Sequence, residues 1–171
     1  MRNPHDKIMS LSQAQAWCRE LKAAGVEVGV TNGCFDLLHR GHVEYLNRAR
    51  AAAGALLVLV NSDASIRQVK GAGRPIVEES DRVYLLASLE SVDAVVMFET
   101  VNCLPLFEAL KPAVYIKGGD YTEETLVREE YLLLKRLGSR FVFIPFVPGR
   151  STTEIVRHIR GAEQLSRPRC Q

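Results

Sequence analysis

The stretch V-E-V-G-V-T-N-G-C-F-D-L-L-H-R-G-H, residues Val26 to His42, decides the fold. Its first six residues, Val26–Thr31, are rich in β-branched side chains and read as a strand. Asn32–Gly41 reads as a turn. From His42 to about Ala53 the apolar residues Val43, Leu46, Ala49 and Ala53 recur at helical spacing, and Gly54 stops the helix. A-L-L-V-L-V (Ala55–Val60) follows, apolar on both faces, as a central parallel strand reads. Strand, turn, helix and strand make one βαβ unit.

The pattern continues on both sides. Upstream, Ser10 and Gln13 form an S-x-x-Q capping box. Leu11, Ala14, Cys18 and Leu21 follow at helical spacing, and Gly25 sits where a terminating glycine belongs. Downstream of a polar stretch come a helix over Asp81–Leu89, a strand over Ala94–Phe98 and a short helix over Leu104–Leu110. A strand over Ala113–Ile116, the longest helix over Glu123–Leu137, a strand over Arg140–Ile144 and a last helix over Ser151–Ile159 complete the series. Strands of this length alternating with helices predict an α/β, doubly wound, five-stranded parallel sheet of Rossmann-like type. Its ligand site is expected beyond the carboxyl ends of the strands. One domain is expected over residues 1–161, with residues 162–171 a loose, disordered C-terminal tail that has little to pack.

Composition agrees with a single soluble domain: 171 residues, 47% hydrophobic and 25% charged. A net charge of +2 is too balanced for a nucleic-acid binder, so phosphate recognition has to be local. The longest aliphatic run, Ala51 to Val60, is broken by Gly54 and too short to cross a bilayer. The N-terminus carries scattered charges and no apolar h-region. Cys18, Cys34, Cys103 and Cys170 lie far apart, which argues against a zinc cage or a disulfide framework. A cytoplasmic location is expected, with neither membrane nor nucleic acid as partner.

Chemistry is concentrated in the turn after the first strand. The chain has four histidines, and two of them, His39 and His42, straddle Gly41 there, while His5 and His158 read as surface residues. Gly33 and Gly41 admit a close ligand. The helix that follows points its free N–H groups into the same space, and imidazoles donate hydrogen bonds to phosphate oxygens. Past the fourth strand, Lys117-Gly118-Gly119-Asp120-Tyr121 offers two glycines and an acceptor for sugar hydroxyls. Ser151-Thr152-Thr153-Glu154 has the spacing of a capping box whose hydroxyls and N–H groups suit phosphate. Arg82 opens a helix, where the dipole disfavours a cation, a misfit that an anion bound at that end would explain. Cys34 reads as a small packed residue rather than a nucleophile, and Trp17 as helix packing.

T-N-G-C-F-D-L-L-H-R-G-H resembles the signature of the H-x-G-H nucleotidyltransferases, the cytidylyltransferase-like superfamily, whose members join a nucleoside triphosphate to a phosphorylated small molecule and release pyrophosphate. V-N-S-D-A-S (Val60–Ser65), V-K-G-A-G-R-P-I (Val69–Ile76), Asp81-Arg82, I-K-G-G-D-Y (Ile116–Tyr121) and S-T-T-E-I (Ser151–Ile155) come in the family's order. Three of these pieces, V-N-S-D-A-S, K-G-x-x-R-P and K-G-G-D-Y, are most similar to the branch that adenylylates D-glycero-β-D-manno-heptose 1-phosphate. The resemblance implies catalytic roles for His39, His42, Lys70 and Arg82, the last two on the triphosphate. It implies nucleotide binding by Thr31, Asn32, Gly33, Cys34, Phe35, Gly41, Lys117, Gly118, Asp120, Ser151, Thr152 and Thr153. Arg74 serves the sugar phosphate or no ligand, and Asp36 either orients the turn or helps to hold metal or substrate. Mg²⁺ is expected to ride on ATP, because no carboxylate cluster forms a dedicated cage. The likeness also suggests a homodimer, and a stand-alone transferase without the sugar-kinase half fused to this domain in many relatives.

Two features depart from the family pattern: Arg150 before S-T-T, and the charged stretch T-E-E-T-L-V-R-E-E-Y after Tyr121, which lacks an expected glycine. The rival readings are a cytidylyltransferase acting on glycerol 3-phosphate or ethanolamine phosphate, and a nucleotide-binding module without turnover. A dinucleotide-dependent dehydrogenase is disfavoured because no G-x-G-x-x-G follows the first strand.

Overall fold

The computed structural model describes residues 2–145 and 151–166. After a 3-10 turn at Pro4–Lys7 the elements are α1 (Leu11–Ala23), β1 (Val28–Gly33), α2 (Arg40–Ala51), β2 (Ala55–Asn61), α3 (Asp63–Lys70), α4 (Glu79–Ser88) and β3 (Ala94–Phe98). Then come α5 (Leu104–Leu110), β4 (Val114–Gly118), α6 (Arg128–Arg136), β5 (Arg140–Ile144) and α7 (Thr152–Ser166). The five strands form one sheet in the order β3-β2-β1-β4-β5, and every pairing is parallel. From β1 the chain winds outward through β2 to β3, then crosses back to place β4 on the other side of β1. The switch point therefore lies between β1 and β4, where a doubly wound sheet opens a crevice at its carboxyl edge.

Local sequence explains the elements. The α1 capping box is complete: Ser10 Oγ accepts from the Gln13 N–H and Gln13 Oε1 from the Ser10 N–H. All six residues of Ala55–Val60 are buried, because β2 is covered on both faces. One apolar layer packs Val28, Val30, Leu57 and Leu59 under Phe107, Tyr115 and Tyr131, and the other packs Leu56, Val58 and Val60 under Leu46, Val83 and Leu86. Side chains of alternate strand residues feed the two layers. At Gly29 the sheet leaves no room for a side chain, since a Cβ would sit 2.8 Å from both Ala53 Cβ and Ile116 Cδ1.

Three expectations differ from the structure. The polar stretch after β2 is a helix, α3, capped by Ser62 Oγ on the Ser65 N–H, so Lys70 ends a helix rather than sitting in a loop. The expected longest helix is only nine residues, Arg128–Arg136. Before it, the Thr122 N–H donates to Thr125 Oγ1 and Thr122 Oγ1 to Glu124 Oε2, local bonds that compete with helical pairing. The longest is α7, 15 residues, which continues to Ser166, into the segment read as a loose tail. Arg150 and residues 167–171 lie outside the described residues. No helix among the described residues is long and apolar enough to cross a membrane.

Candidate active site

A cavity of about 910 Å³ opens at the switch point. Fifteen of the residues singled out from sequence meet on its wall: Asn32, Gly33, Cys34, Phe35, Asp36, His39, Gly41, His42, Lys70, Arg74, Lys117, Gly118, Ser151, Thr152 and Thr153. Thr31, Arg82 and Asp120 do not.

The two imidazoles stack with centroids 4.0 Å apart at the start of α2. His39 is the N-cap of that helix, and its Nδ1 accepts from the Gly41 N–H at 3.1 Å. With Nδ1 accepting, the ring's proton is assigned to Nε2, which makes that nitrogen a hydrogen-bond donor. His42 is more deeply placed, and its Nδ1 is buried without a well-formed hydrogen bond. Burial first, then the charges of His39 and Lys70, push its pKa down to about 4; the Leu37 backbone is the one influence that favours protonation. Phe35, buried with its ring 5.5 Å from that of His42, holds a left-handed φ of +47°, a strained conformation for an aromatic residue that turns the chain beneath the histidines.

Two buried ionic contacts fix this turn. Asp36 accepts from Arg74 Nη1 and from the Ile76 N–H, both at 2.6 Å, and from the Val77 N–H at 3.1 Å. Burial alone would raise the Asp36 pKa, but these donors outweigh it and hold the carboxyl below its usual range. Asp36 therefore latches the segment before α4 onto the signature turn, and Arg74, although on the cavity wall, is its ion partner.

Arg82 corrects the expectation of a triphosphate ligand. Its side chain is fully buried, and it donates to the carbonyls of Val77, Cys34 and Asn61 and to Asp63 Oδ1 at 2.6–3.0 Å. A cation in the first turn of α4 is tolerated here because it reaches away to the carboxyl ends of β1 and β2 and the start of α3. Thr31 and Asp120 also stand off the cavity wall. Thr31 is buried against the Tyr45 hydroxyl at 2.6 Å. Asp120 is exposed, beyond the Gly119 N–H that pairs with the Ile144 carbonyl.

The start of α7 closes the wall opposite α2. Ser151 Oγ accepts from the Glu154 N–H, so the cap expected from S-T-T-E forms, and Thr152 Oγ1 donates to the Leu37 carbonyl at 3.5 Å. Lys117 donates to Asn32 Oδ1 at 2.9 Å, and burial lowers its pKa against the opposing pull of Glu130, Cys103 and Cys34. Tyr121, quoted in the K-G-G-D-Y motif without a role of its own, also lines the cavity, as do Tyr45 and Glu130, which the sequence reading did not single out. Tyr45 packs against Gly118, where a Cβ would lie 2.7 Å from its ring, a contact that only the fold creates. Glu130 occupies a core position of α6, in register with Leu126, Leu133 and Leu134, and a charge on an apolar stripe was the available signal. Among the described residues no three His, Cys, Asp or Glu side chains gather to hold a metal.

A five-stranded parallel sheet with paired imidazoles and two helix starts around its switch point defines an α/β domain of Rossmann-like nucleotidyltransferase type. Residues 30–158 match the family model described as cytidylyltransferase-like, and the chain belongs to that family. It is 46% identical over 154 residues to the bifunctional protein HldE of Geotalea uraniireducens, covering 90% of this chain and 31% of that one. To the HldE of Geobacter sulfurreducens it is 48% identical over 138 residues, 81% of this chain and 28% of the relative. The chain thus spans under a third of the length of these curated relatives. Among solved structures, the lipopolysaccharide core biosynthesis protein of Thermoplasma volcanium matches with a TM-score of 0.59 at 25% identity, over 72% of this chain and 98% of that one. Pantoate-beta-alanine ligase of Francisella tularensis, at 14% identity and a TM-score of 0.56 over 94% of this chain and 79% of that one, shares the fold.

Two predictions follow from this geometry. Arg82→Met leaves three carbonyls and Asp63 without their buried donor, and urea unfolding should show a loss of roughly 3–5 kcal/mol; unchanged stability with weakened nucleotide binding would return Arg82 to the phosphates. The second concerns pH. With a folded-state pKa of about 4 against the usual 6.5, His42 takes up its proton more readily when unfolded. Its contribution to stability is full above 6.5 and is lost as pH falls toward 4. The urea midpoint of the wild type should therefore drop more between pH 7.5 and pH 5 than that of His42→Asn, and parallel drops would refute the assignment.

Proposed function

We propose that this domain is a sugar-phosphate adenylyltransferase: it moves AMP from ATP to D-glycero-β-D-manno-heptose 1-phosphate, giving ADP-heptose and pyrophosphate. The observation that carries the reading is the stacked His39–His42 pair at the start of α2, facing a cavity that also holds Lys70 and the first turn of α7. The heptose assignment rests on V-N-S-D-A-S, K-G-x-x-R-P and K-G-G-D-Y. It is supported by identities of 44–48% to proteins named HldE and by the fold shared with the lipopolysaccharide core biosynthesis protein of Thermoplasma volcanium. A cytoplasmic location, where ATP is supplied, and a homodimer belong to the same reading.

The chemistry asks little of the protein in proton transfer. A sugar phosphate has a second pKa of about 6, so its attacking oxygen is already anionic at neutral pH. It attacks the α-phosphorus of ATP in line: the new P–O bond forms as the bond to the β-phosphate bridge breaks, and pyrophosphate leaves with the electron pair. The barrier is the approach of two anions, so positioning and fixed positive potential do most of the work. His39 donates from Nε2. His42, neutral in the empty cavity, gains a reason to hold a proton once the triphosphate neutralises the charges that oppose it. Lys70 and the N–H groups of α2 and α7 meet the remaining phosphate charge. Mg²⁺ is carried in by ATP, since this chain gathers no cage for it among the described residues.

Pyrophosphate release is the test, measured with ATP and with CTP across heptose 1-phosphate, glycerol 3-phosphate and ethanolamine phosphate. ATP with heptose 1-phosphate should give the highest kcat/KM, and His42→Ala should lower kcat by about 10²–10³-fold with the fold intact. Preference for CTP and a non-sugar acceptor would replace the substrate. Tight ATP binding with no product from any acceptor would remove the enzyme.

A further inference from the structure

The cavity extends over both faces of the sheet, and its two halves differ in chemistry. Gly33 and Gly118 face the layer of Phe35, His42 and Tyr45, whereas Asn32 and Lys117 alternate to the opposite face. There Asn32 Oδ1 accepts from Lys117 Nζ and from the Tyr115 hydroxyl, both at 2.9 Å, and Asn32 Nδ2 donates to Cys103 Sγ at 3.2 Å. Glu130 stands on the same wall with 6% of its surface exposed. Its Oε1 accepts from the Cys103 N–H at 2.9 Å, and its electrostatic influence reaches the Lys117 ammonium beside it. Phe98, Val101 and Val127 supply apolar walls around this polar floor.

A carboxylate this deeply set in a cavity wall keeps little of its hydration, so a ligand that fills the cavity has to donate to it. The donor has to be a hydroxyl or an amine, because phosphate oxygens only accept at neutral pH. Lys117 beside it can donate in return, and an acceptor next to a donor over a half-apolar wall suits a polyol. Stereochemistry selects which polyol. If the pyrophosphate end of ATP lies on the histidine face, between α2 and α7, in-line displacement requires the attacking phosphate to come from the far side of the α-phosphorus, which is this half of the cavity.

We propose that Glu130, with Lys117 and Asn32, reads the hydroxyls of the acceptor sugar, and that this half of the cavity determines which sugar phosphate is used. The inference rests on the adenylyltransferase reading above. It also assigns a task to the charged stretch after Tyr121, the place where the sequence departs from its family pattern.

Glu130→Gln is the informative variant, because the amide oxygen still accepts from the Cys103 N–H while the carboxylate is gone; thermal unfolding within a few degrees of the wild type checks this. Steady-state kinetics with heptose 1-phosphate should show kcat/KM for the acceptor falling about 10–100-fold, the size of a hydrogen bond to a charged group, while KM for ATP stays within about twofold. The penalty should shrink with glycerol 3-phosphate, which offers fewer hydroxyls. A rise in KM for ATP that is absent with 2′-deoxy-ATP would place the nucleotide's ribose here and overturn the proposal. Identical kinetics in wild type and variant would overturn it too. A wild type that transfers AMP to no sugar phosphate overturns the adenylyltransferase reading and this inference with it.

Discussion

The buried guanidinium of Arg82 is the constraint on which the site depends. Four hydrogen bonds join it to the backbone after β1, the end of β2, the start of α3 and the segment entering α4. These are the segments that surround the signature turn. A buried cation is tolerable only when every donor is matched, so the strands and helices around it are held to one relative placement. Asp36 repeats the device from the other side by accepting from Ile76, Val77 and Arg74. Between the two clamps the chain keeps Phe35 in a left-handed conformation, and the helix that begins at His39 starts at a fixed point.

The charges of the cavity are divided in a way that suits transfer between two anions. On the histidine face no carboxylate of the wall is left to compete with phosphate, because Asp36 is spent on the turn. On the other face the Glu130 carboxylate stands near Lys117, the pair proposed above to read hydroxyls. Neutral His42 limits positive charge in the empty cavity, where its ring stacks 4.0 Å from that of His39 and Lys70 opposes its protonation. On the proposed function, the phosphates of the substrates supply the charge that the empty site avoids.

Much of this was legible in the sequence, for physical reasons. The A-L-L-V-L-V run could only be a strand covered on both faces, and the histidines of the H-x-G-H turn could be placed because strand and helix flank them closely. What escaped was set by tertiary contacts. The α3 helix has few apolar residues and is defined by its Ser62 cap. Arg82 has the position of a phosphate ligand in sequence and the surroundings of a brace in space. Asp120, just past the Gly119–Ile144 backbone pair, stays exposed. Glu130 looked like one more charge on a solvated helix until the register of Leu126, Leu133 and Leu134 carried it inward.

The central claim is that the two substrates meet across the carboxyl edge of β1, with the acceptor phosphate displacing pyrophosphate directly. The stereochemical course of transfer from the SP isomer of adenosine 5′-O-(1-thiotriphosphate) to heptose 1-phosphate tests it most directly, with the product's configuration at phosphorus read by ³¹P NMR. A single displacement gives inversion. Retention would require an enzyme-bound adenylyl group and would contradict the account.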